Sequence, residues 1–292
     1  MPASSLHAPV LAWYADAARD LPWRRPERDA WGVLVSEVML QQTPVDRVVP
    51  AWTAWLSRWP EPAALAADPV GEAVRQWGRL GYPRRALRLH AAASDCVARF
   101  AGRVPSTYDE LRSLPGVGDY TAAAVLAFAH GRRAVVLDTN VRRVLARLLD
   151  GAEHPRPSVT VAERAAADAV LPDDDATAAA WSVAVMELGA LVCTSTAPSC
   201  AVCPVRGSCA WLAAGRPAYD GPPRPVQRFA GTDRQVRGRL LAVLREAAHP
   251  VARPELDVVW HDAVQRERAL DSLVADGLVD PLPDGRYALP GG

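Results

Sequence analysis

Cys193, Cys200, Cys203 and Cys209 follow one another as C-x6-C-x2-C-x5-C, while the fifth cysteine, Cys96, stands alone in LHAAASDCVARF. In a reducing compartment, four clustered thiols hold a metal far more often than they form disulfides. Zinc sites usually show two C-x2-C pairs, each pinching the ion from one turn. Here one such pair is flanked by longer spacings, as if one loop wraps a larger object. A [4Fe–4S] cluster held by four thiolates fits this pattern better, with zinc as the alternative. The minimum role of either is structural, a staple across the loop. Arg206, inside the loop, is expected to face outward, where it can meet phosphate. Cys96 is expected as a small core residue.

Two carboxylates could do acid–base and electrostatic work. Glu37, in SEVMLQQT, lies on a helix flanked by Val33, Leu34, Leu40 and Gln41. Partial desolvation there predicts a raised pKa and a proton donor near neutrality; the plain alternative is a surface Glu on an amphipathic helix. Asp138, in LDTNVRR, precedes another amphipathic helix. It is expected to cap that helix, worth about 1 kcal/mol, or to face developing positive charge. Between them, LPGVG (114–118) joins two helices, 106–114 and one beginning at Asp119, in a helix–hairpin–helix signature. Its glycines leave the Val117 and Gly118 amides at a helix N-terminus, where they can hold a phosphate without reading sequence; otherwise the turn is a packing corner.

These residues need a scaffold. The chain has 292 residues, half of them apolar, and 33 basic against 33 acidic side chains. That suffices for one sizeable core and a second small domain. Near-zero net charge means that a nucleic-acid partner must be met by local basic surfaces. All 33 basic residues are Arg. With no lysine, no side-chain amine exists for Schiff-base chemistry. No apolar run approaches the ~20 residues of a membrane span, and the first 20 residues lack the features of a secretory leader. A cytoplasmic protein, nucleoid-associated in a prokaryote, is expected. Arg concentrates in 75–103, 132–147 and 224–245, which could track a phosphate backbone.

Residues 1–213 read as a succession of short helices separated by Pro and Gly, with no sustained period-2 alternation. Trp31, Leu34, Val35, Val38 and Met39 recur at helical spacing behind Asp29, a candidate cap, and Val141, Val144, Leu145 and Leu148 do so after Asp138. Residues 214–232 are Pro/Gly-rich and read as a linker. Residues 233–292 hold three helical segments closed by DPLPDGRYALP, a small winged-helix-like domain. The fold class is all-α.

Taken together, LPWR (21–24), SEVMLQQT (36–43), LGY (80–82), LPGVGDYTA (114–122), LDTNVRRVLAR (137–147) and ELGALVC with the following cysteines (187–209) resemble the MutY-type adenine DNA glycosylases. These belong to the helix–hairpin–helix superfamily that includes endonuclease III. The likeness spans nearly all of 20–213. It implies two helical lobes around a DNA cleft, an iron–sulfur loop, and excision of adenine mispaired with 8-oxoguanine or guanine in double-stranded DNA by a monomer.

The resemblance also implies residue roles. Glu37 matches the family's general acid, which also activates water, and Asp138 the carboxylate that stabilises an oxocarbenium-like sugar, as in paired-carboxylate glycoside cleavage. Tyr120 and Asn140 match positions assisting them. Once the base is flipped, Trp23, Arg24 and Leu40 match pocket-lining positions. Gln42, Thr43, Leu80 and Tyr82 match residues that fill the vacated stack and contact the opposite purine. Bifunctional relatives carry Lys where Tyr120 stands, so a monofunctional enzyme is expected. The chain departs from the pattern twice. Val183 replaces a Gln or Glu near the adenine, and the C-terminal 60 residues are too few and too helical for the usual Nudix-like recognition domain. The alternatives are a thymine or uracil glycosylase on mismatches with guanine, and a non-enzymatic iron–sulfur DNA-binding regulator.

Overall fold

The computed structural model describes residues 4–219, 221 and 229–291. Helices dominate: α1 (Ser4–Ala17), α2 (Ala30–Leu40), α3 (Val45–Arg58), α4 (Pro62–Ala67), α5 (Val70–Trp77) and α6 (Arg84–Phe100). Next come α7 (Tyr108–Arg112), α8 (Asp119–His130), α9 (Thr139–Leu149), α10 (Val161–Ala169), α11 (Asp175–Leu191) and α12 (Ala210–Ala213). The C-terminal stretch adds α13 (Asp233–Glu246), α14 (Arg253–Asp257), α15 (Ala263–Ala275) and a hairpin of β1 (Asp280–Pro281) and β2 (Tyr287–Ala288). Two compact units emerge. One gathers the described residues of 1–33, 106–112 and 117–223, the other those of 34–105, 113–116 and 224–292.

In the first unit α11 is the central helix. Ala178, Trp181, Val185 and Leu188 recur at spacings of three and four and are buried, the stripe a core helix needs. Val141, Val144, Leu145 and Leu148 of α9 and Val10 of α1 join them. Close approach of α9 and α11 requires Gly189, since a Cβ there would lie 2.7 Å from Asn140 Cβ. Asp138 caps α9 through the Val141 amide, as expected. Helix α7 is shorter than the expected 106–114 and stops at Arg112. Leu114 precedes Pro115, whose ring disfavours helical backbone at the residue before it.

In the second unit the Trp55 ring meets Trp59 and Trp77 edge-on at 4.6 and 5.7 Å. Leu65, Val74, Leu89 and Cys96 are buried in the same unit, and burial pushes the Cys96 thiol up to about 11. Cys96 is thus the inert core residue its isolation suggested. Helix α2 begins behind Asp29, whose carboxylate accepts from the Gly32 amide.

The C-terminal helices and hairpin are the expected elements, but their packing partner could not be read from sequence. Val236, Leu240, Leu241 and Leu244 of α13 are buried, and α13 lies against both α15 and α5. Residues 220 and 222–228 of the segment read as a linker lie outside the described residues. Its first part is pinned: Trp211 Nε1 donates to Pro217 O, and Glu153 accepts from the Tyr219 amide.

Candidate active site

In the first unit, the Asp138 carboxylate is held at the start of α9. Oδ1 accepts from the Val141 amide at 2.6 Å and Oδ2 from Asn140 Nδ2 at 2.8 Å. Burial pushes its pKa up, against the pull of these hydrogen bonds and of the nearby Arg143 charge. Asn140 is fixed in turn, because its Oδ1 accepts from Arg143 Nη2 at 2.8 Å. Arg143 also donates to the carbonyls of Gly189 and Cys193. One guanidinium therefore ties the Asp138–Asn140 pair to α11 and to the first residue of the cysteine loop.

That loop closes around a small cavity of about 30 Å³, lined by Cys193, Cys200, Cys203, Cys209, Arg147 and Trp211 among others. Arg147, only 1% exposed, donates to Cys193 Sγ at 3.3 Å and to the carbonyls of Thr194 and Ser195, and stacks on Trp211. Burial raises the Cys193 and Cys203 thiols, and Arg147 opposes this at Cys193. Among the described residues, no group of three or more His, Cys, Asp or Glu side chains is close enough to hold a single metal ion. Four thiols around one hollow, with a buried guanidinium beside them, nonetheless form a donor set suited to an anionic thiolate cluster. Arg206 is exposed on the loop, as expected.

Trp23 is 7% exposed. Arg24 stands in an ion pair, with Nη2 2.8 Å from Glu187 Oε2, while its Nη1 is buried without a hydrogen-bond partner among the described residues. Glu187, fully buried on α11, also receives Arg19 through backbone and guanidinium. Burial alone would raise this carboxyl; the hydrogen bonds from Arg19 and Arg24 and the Arg24 charge bring it down to about 2. Tyr120, in the first turn of α8, packs on Ala123, Ala124, Ala127 and Val136. Gly118 caps α8 without a side-chain hydrogen bond and has open space around it, so the turn is sterically free at that face. Val117 is buried, and Val183 is half-buried.

In the second unit, Glu37 is 4% exposed on α2, so the surface-residue alternative falls away. Leu40 is half-buried, Thr43 buried, and Gln42 exposed with φ at +56°. Tyr82 is 43% exposed with φ at +46°, whereas Leu80 is only 5% exposed. The two loops therefore present Gln42 and Tyr82 outward and keep Leu80 inside. Arg85 holds both loops. Its Nη1 donates to the carbonyls of Val38, Met39 and Gln41, and its Nη2 to Thr43 Oγ1 and Gly81 O. Burial lowers the Arg85 pKa to about 10.

Sequence reading missed Glu187, Arg143, Arg147 and Arg85. Glu187 carried a signal, a lone acid among apolar residues of a core helix; Arg143 and Arg147 did too, four apart on α9. Three of the five arginines of segment 132–147 are turned into the fold and not toward a phosphate backbone. Arg142, Arg143 and Arg147 are buried, and Arg132 and Arg133 pair with Asp175 and Asp168.

Comparison with known proteins adds the decisive observation. Residues 35–167 match the HhH-GPD superfamily of base excision DNA repair proteins. An adenine DNA glycosylase of Mycolicibacterium smegmatis is 53% identical over 283 residues, covering 97% of this chain and 95% of its own. The chain belongs to the adenine DNA glycosylase family. The Mycobacterium tuberculosis (strain ATCC 25618 / H37Rv) adenine DNA glycosylase is 54% identical, covering 97% of this chain and 92% of its own. The structure of a thermostable thymine-DNA glycosylase shares the fold at a TM-score of 0.65, with 24% identity over 73% of this chain and 97% of that one. The superfamily match takes in Glu37, the hairpin and Asp138. The mycobacterial likeness, spanning 97% of this chain, also takes in the cysteine loop and the C-terminal helices.

Proposed function

We propose that this member of the adenine DNA glycosylase family excises adenine opposite 8-oxoguanine or guanine from double-stranded DNA, acting as a monomer in the bacterial cytoplasm. The observation that carries the reading is Glu37, a carboxylate with only 4% exposure on α2. Adenine leaves poorly until a ring nitrogen is protonated, so its release needs an acid that water does not level. Glu37 donates that proton and then draws one from the attacking water. Asp138, oriented by Val141 and Asn140, faces the cationic sugar left behind. Such preorganised charge is worth on the order of 10²–10³-fold in rate.

Trp23, Arg24 and Leu40 are assigned to the flipped base, and Tyr120 and Asn140 to assisting Asp138 and Glu37. Gln42, Thr43, Leu80 and Tyr82 serve the vacated stack and the opposite purine. The Val117 and Gly118 amides receive a phosphate of the backbone. Cys193, Cys200, Cys203 and Cys209 hold a [4Fe–4S] cluster, which when bound staples the loop and supplies a fixed charge beside Arg147. Iron analysis of purified protein is expected to give ~4 iron atoms per chain; zinc instead would refute this assignment.

The test is single-turnover cleavage of duplexes carrying A opposite 8-oxoguanine, A opposite G, T opposite G and U opposite G, beside Glu37→Gln. Adenine release by the wild type, lost in the variant with duplex affinity retained, is the expected result. Pyrimidine release would instead mark the Val183 pocket as changed, and tight binding without release would indicate a regulator.

A further inference from the structure

Resting on that reading, we propose that the C-terminal helices complete the reading head for the base opposite the excised adenine, with Arg234 as the residue that positions Tyr82. The Tyr82 hydroxyl accepts from Arg234 Nη1 at 3.2 Å. The Tyr82 ring has two guanidiniums at cation–π range, Arg85 Cζ 5.7 Å and Arg234 Cζ 6.0 Å from its centre. Arg234 is steadied in turn by Phe229, whose ring centre lies 5.3 Å from its Cζ. Tyr82 needs such support. Its backbone sits in the left-handed region, its ring is exposed, and its hydroxyl is met by Arg234 from α13 and not by its own loop among the described residues.

Arg234 is itself held in place. It belongs to the first turn of α13, where Gln265 donates to Gly231 O and Asp233 Oδ1, and Arg268 pairs with Asp233. The helix is anchored at its other end by a reciprocal exchange with α5. Arg75 donates to the carbonyls of Arg245 and Ala247, and Arg245 to those of Val74 and Gly78. Burial lowers the Arg245 pKa to about 10. Arg84 pairs with Asp276 after α15, and Gly71 lies against Leu289 and Pro290 with no room for a side chain. The C-terminal helices are therefore bolted to the lobe that carries Tyr82. They set a phenol ring where a flexible appendage could not, and discrimination by a stacked ring depends on that placement.

The experiment compares Arg234→Ala, Arg234→Lys and Arg239→Ala with the wild type. Arg239 is exposed on the same helix and stacks on Trp260, so its variant removes the same charge without touching Tyr82. Single-turnover rates are read for A opposite 8-oxoguanine, G and C, and affinities for the same opposite bases facing a tetrahydrofuran abasic analogue. Arg234→Ala is expected to shrink the preference for 8-oxoguanine over C about five- to tenfold, the scale of one lost hydrogen bond. Arg234→Lys should restore part of it, and Arg239→Ala should leave it unchanged. An unchanged ratio in Arg234→Ala, or an equal fall in Arg239→Ala, overturns the proposal. The abasic-analogue ratio decides it even where no base is released, an outcome that would sink the glycosylase reading alone.

Discussion

Asp138 has two duties that a substitution can separate. As a cap it needs only an acceptor for the Val141 amide; as an electrostatic partner it needs its charge. Asp138→Asn keeps the cap oxygen and removes a carboxylate that burial disfavours, but it sets two amide NH₂ groups against each other, because Arg143 fixes the Asn140 oxygen. These effects oppose, so stability is expected to stay within about 1 kcal/mol of wild type, while excision falls on the order of 10²–10³-fold. Urea melts beside single-turnover rates check both. Glu187 behaves oppositely. It neutralises Arg19 and Arg24 from a fully buried position, so Glu187→Gln leaves two cations short of a partner and should cost about 3 kcal/mol near neutrality. Its folded pKa of about 2 lies below the ordinary 4.5. The carboxylate's contribution is therefore complete above pH 4.5 and lost as pH falls through 2. Urea midpoints of wild type and variant should converge over that window; a gap that stays constant down to pH 2 would refute the assignment.

Between elements, the tightest dependence is the crossing of α9 and α11 at Gly189. Helix propensity favours Gly189→Ala by up to about 1 kcal/mol. The added methyl would sit 2.7 Å from Asn140 Cβ and 2.9 Å from its carbonyl oxygen, and overpacking of that kind costs about 1–3 kcal/mol. The clash wins, and it falls on the turn that aims Asp138. Gly189→Ala should lower both the melting temperature and the excision rate, whereas an alanine that stabilised the protein would show that the helices can part without consequence. This crossing also marks how far the sequence could be read. The start of α9 was legible because Asp138 is a capping residue ahead of an apolar period, and α2 because Asp29 plays the same part. The end of α7 was overrun because the apolar Leu114 outweighed the proline after it. Arg85 was illegible for a different reason: its acceptors are backbone carbonyls of Val38, Met39 and Gln41, more than forty residues away, and carbonyls have no sequence signature.

At the scale of the whole molecule, the absence of lysine explains both the architecture and the expected limit of the chemistry. A guanidinium carries five donors in a rigid fork and stays charged when buried. Arg75 and Arg245 use it to join α5 to α13, Arg85 to gather two loops, and Arg143 and Arg147 to clasp the cysteine loop. The C-terminal helices share a unit with 34–105, a grouping that Pro/Gly composition around 214–232 did not reveal. The lack of lysine also removes a reaction. Strand cleavage by glycosylases of the bifunctional kind begins with a neutral amine attacking the abasic sugar, and a guanidinium with a pKa above 12 offers no free lone pair near neutral pH. Even Arg85 and Arg245, lowered to about 10 by burial, remain cationic at pH 7. Tyr120, where bifunctional relatives carry Lys, cannot substitute, since a phenol forms no Schiff base. Abasic product should therefore accumulate with its strand intact until alkali is added. Borohydride should trap no side-chain adduct on a pre-formed abasic duplex. Tyr120→Lys, which places the one side-chain amine of the chain in the first turn of α8, should gain trapping. A wild-type adduct mapped by peptide analysis to an interior residue would show that nucleophilic chemistry survives in a chain without lysine.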